Sequence, residues 1–293
     1  MNIAPSPNAA RARELHVQPG VGIAAHVLQA RELEILRSHV DQPALIMVDK
    51  GTKIVRPARG GAVQARPGQA IILAGNQTVD FNNTVTDSAH YEARWLVFDN
   101  ALLDDAYYRE RASRIESGGS GAAPARLMAR PSRQLANAFD NARQSLAPAE
   151  NIPAAVARQR VLEVLHWLLE AGLVVRAASA NPGVAARVRA LIGANLDSAW
   201  STDRVAAALA FSEATLRRRL AAEHTSLTEL LTDARMATAL TLLQATARPV
   251  SDIALSVGYE SASRFAVRFR QRFGFAPTAV RGHERAHQPS TNV

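Results

Sequence analysis

Three arginines, Arg264, Arg268 and Arg272, run beside three phenylalanines, Phe265, Phe269 and Phe273, in the stretch DIALSVGYESASRFAVRFRQRFGFAP (252–277). Side chains four residues apart share one face of a helix. A planar guanidinium donates paired hydrogen bonds to phosphate oxygens and to the edge of guanine. The phenylalanines at the same spacing make an apolar stripe that a helix must bury. The pattern describes a helix with a dry inner face and a basic flank, opened by a turn at Gly258-Tyr259. It suits either an ordinary amphipathic hairpin or a helix that lies on a polyanion.

The stretch has an earlier echo. Val205, Ala206, Leu209 and Phe211 precede Ile253, Ala254, Val257 and Tyr259 by 48 residues, and Leu216 and Leu220 precede Phe265 and Phe269 by 49. Each unit reads as a short apolar helix, a small residue (Ala210 or Gly258), an aromatic residue, then a serine (Ser212 or Ser261) that opens a second helix. A serine there accepts a hydrogen bond from the unpaired N–H groups of the first turn. This is the sequence form of a helix-turn-helix, whose second helix enters the DNA major groove. In the first unit Leu216 and Leu220 face inward, so Glu213, Ala214, Arg217 and Arg218 face out. In the second, Ser263, Val267 and Arg270 lie opposite the phenylalanines. Between the units, Ser226 to Thr246 reads as one helix. About 20 residues at ~1.5 Å each span ~30 Å, close to the ~34 Å between successive major grooves on one face of DNA.

The rest of the chain supplies the elements that position these helices. At 293 residues the length allows about two domains. PALIMVDKGTKIV (43–55), AVQARPGQAIILAG (62–75) and HYEARWLVFD (90–99) are β-rich runs broken by Gly and Pro, the pattern of a small barrel or sandwich. In the last run Tyr91, Ala93, Trp95 and Val97 share one face, and Arg94, Leu96 and Phe98 the other. ESGGSGAAP (116–124) reads as a flexible loop. Two helices are expected to follow, over 125–146 and 153–176. The second carries Val161, Leu165 and Leu168 on one seam, for burial in the core or for pairing with a twin in a homodimer. The expected boundaries are a β-rich sensing or dimerisation domain over 1–178, a linker over 179–184, an all-α double helix-turn-helix over 185–287 and a frayed tail over 288–293.

Charge and composition narrow the functions further. From Val184 onward 14 arginines oppose 9 acidic residues, +5, against +3 for the longer remainder. Cysteine is absent, which excludes disulfides and thiolate metal sites and fits a reducing cytoplasm. The N-terminus lacks the apolar core of a secretory signal. The most apolar helix is interrupted by Glu163, His166 and Glu170, so no membrane span is expected. His39 and His90 stand isolated, no His-x-His or Gly-x-Ser-x-Gly occurs, and neither a catalytic site, a metal site nor a cofactor is expected. Lys50, Lys53, Arg56, Arg59, Arg66 and Arg94 make the β-rich runs basic. A solvated rim is preferred for them over an anion-binding pocket, since buried charges are rare unless paired.

IALSVGYESASRFAVRFRQRFGFAPTAVR (253–281) resembles the signature of the AraC/XylS family of bacterial transcription regulators, and the resemblance runs from Val184 to Arg285. The β-rich region is similar, through its arrangement and RPGQAIIL (66–73), to the cupin-like domain common in that family. The resemblance implies a two-domain α+β chain, with a cupin-like barrel and two appended helices ahead of the tandem helix-turn-helix. It implies a sequence-specific regulator, an activator by preference, with promoter DNA and RNA polymerase as partners. A homodimer and a small-molecule effector of unknown site also follow from it. Carried over residue by residue, base reading falls on Ala214, Arg217 and Arg218, then on Ala262, Ser263 and Val267. Phosphate or positioning contacts fall on Ser212, Ser261, Arg264, Arg268 and Arg270. Val267 stands where many members have arginine, and Ala262 where a polar side chain is common, which leaves the second helix chiefly to grip. Val280 replaces the tyrosine usual before Arg281, a change expected to touch packing. Glu213 fits a favourable charge at a helix N-terminus better than a cytosine contact. The alternatives are a repressor or low-specificity architectural DNA binder, and a metal-dependent cupin enzyme fused to a DNA-binding domain.

Overall fold

Alternation along the β-strands builds two faces of one sheet, and each face finds a different partner. The computed structural model describes residues 13–85, 90–117, 123–176 and 183–282. The strands are β1 (Glu14–Gln18), β2 (Gly22–Gln29), β3 (Leu33–Val40), β4 (Ala44–Lys50), β5 (Thr52–Pro57), β6 (Val63–Ala65), β7 (Ala70–Leu73), β8 (Gln77–Thr84), β9 (Tyr91–Phe98) and β10 (Ala125–Met128). They form an antiparallel six-stranded sheet, β1-β2-β9-β4-β7-β10, and an antiparallel four-stranded sheet, β3-β8-β5-β6. Tyr91, Ala93, Trp95 and Val97 of β9 join Val27, Ile46, Val48, Val55 and Ile71 in the core between the sheets. Leu96 and Phe98, with Leu45, Met47 and Ile72, face the other way onto helices.

Those helices are α1 (Ala106–Ser117), α2 (Arg133–Ser145) and α3 (Ala154–Glu170). Phe139 and the seam Val161, Leu165 and Leu168 are fully buried against the sheet, so this stripe is core. Two expectations need correction. Residues 125–128 are strand, not helix: they pair with β7, and Ser132 caps α2 only afterwards by accepting from the Leu135 N–H. The helix expected to reach 176 ends at Glu170, before Gly172 turns with φ +72°. The following segment is fixed instead by Tyr108, whose hydroxyl donates to the Val175 carbonyl and accepts from its N–H. Residues 118–122 of the expected loop, 179–182 of the linker and the tail over 288–293 lie outside the described residues. No helix among the described residues is long and apolar enough to cross a membrane.

The C-terminal part is helical: α4 (Val184–Gly193), α5 (Thr202–Ala208), α6 (Glu213–Ala222), α7 (Leu227–Ala245), α8 (Val250–Ser256) and α9 (Ala262–Phe273), closed by a 3-10 turn at Pro277–Arg281. It has two cores. Val188, Ile192, Val205, Leu216, Leu220 and Leu230 fill the first, and Met236, Leu240, Leu243, Ile253, Phe265, Phe269 and Val280 the second. Helix α7 supplies both, so it fixes one unit relative to the other. Leu33 and Ile35 of β3 enter the second core, which docks that unit on the small sheet.

The turn between the paired helices needs a left-handed residue in each unit. Gly258 has φ +83°, and a Cβ there would lie 2.6 Å from Arg235 Nη2 and 2.8 Å from the Leu196 carbonyl oxygen. Ala210 holds the equivalent place with φ +57°, which costs an L-residue about 1–2 kcal/mol. Ala210→Gly is therefore expected to raise stability by about 0.5–1 kcal/mol after the glycine's extra unfolded-state entropy. Thermal unfolding checks the sign, and a destabilised variant contradicts the strain.

Candidate nucleic-acid interface

The rotation of α6 is set by Leu216 and Leu220, both buried. Ser212 caps the helix, its Oγ accepting from the Thr215 N–H at 3.2 Å. Ala214, Arg217 and Arg218, at i, i+3 and i+4, then share an exposed ridge. Arg217 Nη2 donates to Glu213 Oε2 at 2.9 Å. Such an exposed i,i+4 pair is worth about 0.3–0.5 kcal/mol and is readily exchanged for a stronger acceptor. Arg218 makes no hydrogen bond or ion pair among the described residues. Arg219 turns away and lays its guanidinium 4.5 Å over the Phe211 ring, a packing role.

Helix α9 repeats the construction. Ser261 Oγ accepts from the Arg264 N–H at 3.3 Å, and Phe265 and Phe269 are fully buried. Ala262, Ser263, Arg264, Val267, Arg268 and Arg270 are exposed. Arg264 pairs with Glu260 at 3.4 Å and Arg268 with Gln271 at 3.3 Å, both on the surface. Arg272 is the exception to the basic flank. Its Nε donates to Asp233 Oδ1 at 2.7 Å, and its Nη atoms donate to the carbonyls of Leu36 and Arg37 at 2.9 and 2.7 Å. It ties α9 to α7 and to β3, and so is committed to structure. Arg281 is likewise engaged, donating to the carbonyls of Leu243, Thr246 and Arg248. Val280 beside it is buried. The arrangement presents two serine-capped helices, each with a small-residue entry and unspent arginines, on a common 19-residue strut of about 28 Å.

A second feature went unread in the sequence. Between the sheets lies a cavity of about 350 Å³, walled on one side by Thr238, Thr241 and Gln244 of α7. Lys53, expected on a solvated rim, is instead 1% exposed inside it. Its ammonium donates to Asn83 Oδ1 at 3.0 Å and lies 4.2 Å from the Phe81 ring and 5.5 Å from Trp95. No carboxylate pairs with it among the described residues. Burial pushes the Lys53 amine down from 10.5 to about 7. Asn83 in turn donates to Gln29 Oε1, which also accepts from Gln244 Nε2, both at 3.0 Å. An all-buried polar chain thus runs from Lys53 to α7. The rim expectation holds for Arg56, Arg59 and Arg66, which are exposed. Arg94 is held by both oxygens of Asp49 at 2.9 Å and by Asp140.

On the outer face of the large sheet, Glu92 is 1% exposed and accepts at 2.9 Å from His26. Lys50 and His90 reach its other oxygen at 3.2 and 3.4 Å. His90 is therefore not isolated as the spacing suggested. His26, Asp49 and Glu92 could between them reach one metal ion. Each of the two carboxylates already faces a cation, Lys50 or Arg94, which makes the group a neutralised ion network.

A helix-turn-helix domain family matches residues 205–283. Over 112 residues the chain is 35% identical to the HTH-type transcriptional regulator GadX of Escherichia coli K12, covering 38% of this chain and 40% of that protein. Over 91 residues it is 36% identical to the transcriptional regulator SirC of Salmonella typhimurium, covering 31% of each. ToxT from Vibrio cholerae superposes with a TM-score of 0.56 at 12% identity over 88% of this chain and 97% of that one, a likeness of fold. Solved forms of ToxT include one bound to an unsaturated fatty acid and one bound to a substituted butenoic acid. Residues 205–283 form a tandem helix-turn-helix domain similar to that of AraC-type regulators, set behind a β-rich region in a ToxT-like fold. The matched segment spans 40% or less of the curated relatives' own length.

Proposed function

We propose that the protein is a sequence-specific DNA-binding transcription regulator, an activator working with RNA polymerase at promoter DNA as a homodimer. The observation that carries this reading is the pair of equivalent capped helices, α6 and α9, on the single strut α7. In it Ala214, Arg217 and Arg218, then Ala262, Ser263 and Val267, face base edges. Arg264, Arg268 and Arg270 take phosphates, with Ser212 and Ser261 setting the helix entries. Salt titration on specific and random duplexes tests it: a regulator keeps a preference for one sequence at every salt concentration, whereas an architectural binder shows only the common electrostatic slope.

The cavity supports an effector with an apolar body and one anionic group, the class of the acids in the ToxT structures. An anion would give Lys53 the counter-charge that no carboxylate among the described residues supplies, and the Asn83–Gln29–Gln244 chain links that site to α7. The charge of Lys53 sets two pH trends. Below about pH 7 the amine is protonated in the folded and unfolded chain alike, and the cost of its burial is present in full. From about 7 to 10.5 only the unfolded chain holds the proton, so stability rises with pH over that window. Lys53→Met is expected to flatten that rise in thermal unfolding, and an unchanged slope contradicts the burial of a titrating amine. Binding of an anionic effector is expected to weaken as pH rises above about 7, read by calorimetry with a fatty acid as probe.

A further inference from the structure

Val267 is 58% exposed in the middle of α9. The rotation of the helix leaves no freedom in where it points. Phe265 and Phe269 are fully buried, and a residue two positions from each lies about 200° around a helix of 3.6 residues per turn. Val267 therefore stands opposite the core. Ser263 precedes it by one turn on the same ridge, and Ala262 and Ala266 beside that ridge are small, so its two methyl groups protrude. Valine in a helix is also held largely to one χ1 rotamer, which gives this apolar knob a fixed position.

A lone exposed valine on an ordinary surface needs no explanation. The surroundings of this one are not ordinary. Arg264 and Arg268 flank it, and among the described residues each has a single weak surface partner, Glu260 or Gln271. Arg272, the remaining arginine of that flank, is spent on Asp233 and the β3 carbonyls. The centre of the ridge thus offers a hydroxyl and an apolar branch to whatever the flanking cations hold down. In the major groove the apolar group on a base edge is the thymine C5-methyl.

We infer that Val267 packs on a thymine methyl, so that α9 reads an A·T pair by apolar contact while α6 reads through guanidinium groups. The inference rests on the proposed role of α9 as a groove-entering helix. It replaces the expectation that valine leaves this helix to grip without reading. It assigns the second half of the site a thymine where an arginine would select guanine.

The test uses the full chain and a duplex carrying its selected site. Each thymidine in the second element is replaced singly by deoxyuridine, which removes the methyl and leaves the hydrogen-bonding edge intact. At one position affinity is expected to fall about fourfold, the equivalent of one buried methylene-sized group. The Val267→Ala protein is expected to bind the thymidine duplex more weakly by a similar factor and to be insensitive to deoxyuridine at that position. Preference for the selected site with no deoxyuridine effect, or an effect that persists in Val267→Ala, overturns this assignment alone. Absence of any preference over random duplex overturns the groove-reading role of α9 together with it.

Discussion

Replacing Phe269 by alanine is expected to lower stability by about 3–5 kcal/mol, the cost of emptying a large aromatic site in a packed core. Phe269 is fully buried, with the rings of Phe265, Phe273 and Phe275 centred 5.5, 4.7 and 5.9 Å away. Three rings cannot collapse into such a space without moving α9, whose position they define. The same core includes Leu33 and Ile35, so loosening it also bares one side of β3. The first unit keeps its own core around Val188, Leu216 and Leu220. The variant is therefore expected to unfold at much lower urea concentration and to protect only the DNA element covered by α6. A loss below about 1 kcal/mol contradicts the view that this stripe holds the second unit together.

Alanine at Arg217 or Arg218 is expected to act on binding and leave folding alone. Both are exposed, and Arg217 gives up only a surface pair with Glu213. A bidentate contact to guanine is worth about 1–3 kcal/mol, about five- to 150-fold in affinity. Its loss relaxes preference at one base position. Arg268→Ala serves as the contrast, weakening specific and random duplexes alike and lowering the salt slope by about one. Competition binding with single-base site variants separates the two patterns. An Arg217→Ala protein that binds and discriminates like the wild type contradicts the assigned reading face.

The C-terminal half was readable because its determinants are local. Each helix-turn-helix declares itself within some twenty residues, through a left-handed turn residue, a capping serine and apolar spacing of three and four. The β-rich half declares less. Strand β8 carries Asn82 and Asn83 where strands usually carry branched residues, and Asn83 is buried only because Lys53 and Gln29 meet it there. Helix α1 buries little beyond Tyr108 and Ala112, too few positions to show a period. Strand β10 owes its existence to pairing with β7, some fifty residues earlier. Lys53 looked like surface because lysine usually is; its burial is decided by Phe81, Trp95 and a helix almost two hundred residues away. The flank of three arginines, by contrast, looked uniform, and only the contacts with β3 and Asp233 set Arg272 apart from Arg264 and Arg268.

The cavity and the interface share α7. Its N-terminal turns pack the first unit, its C-terminal turns pack the second, and its Thr238, Thr241 and Gln244 wall the space that holds Lys53. A ligand there would bear on the strut that sets the spacing of α6 and α9.

The most direct test of the account is selection of bound sites from a random duplex pool by the full chain, followed by footprinting of the winners. Two enriched elements about one helical turn apart on one face of the duplex are expected, the first fixed at guanine by α6 and the second at an A·T pair by α9. Enrichment of no sequence above the starting pool, with binding that tracks salt alone, contradicts it.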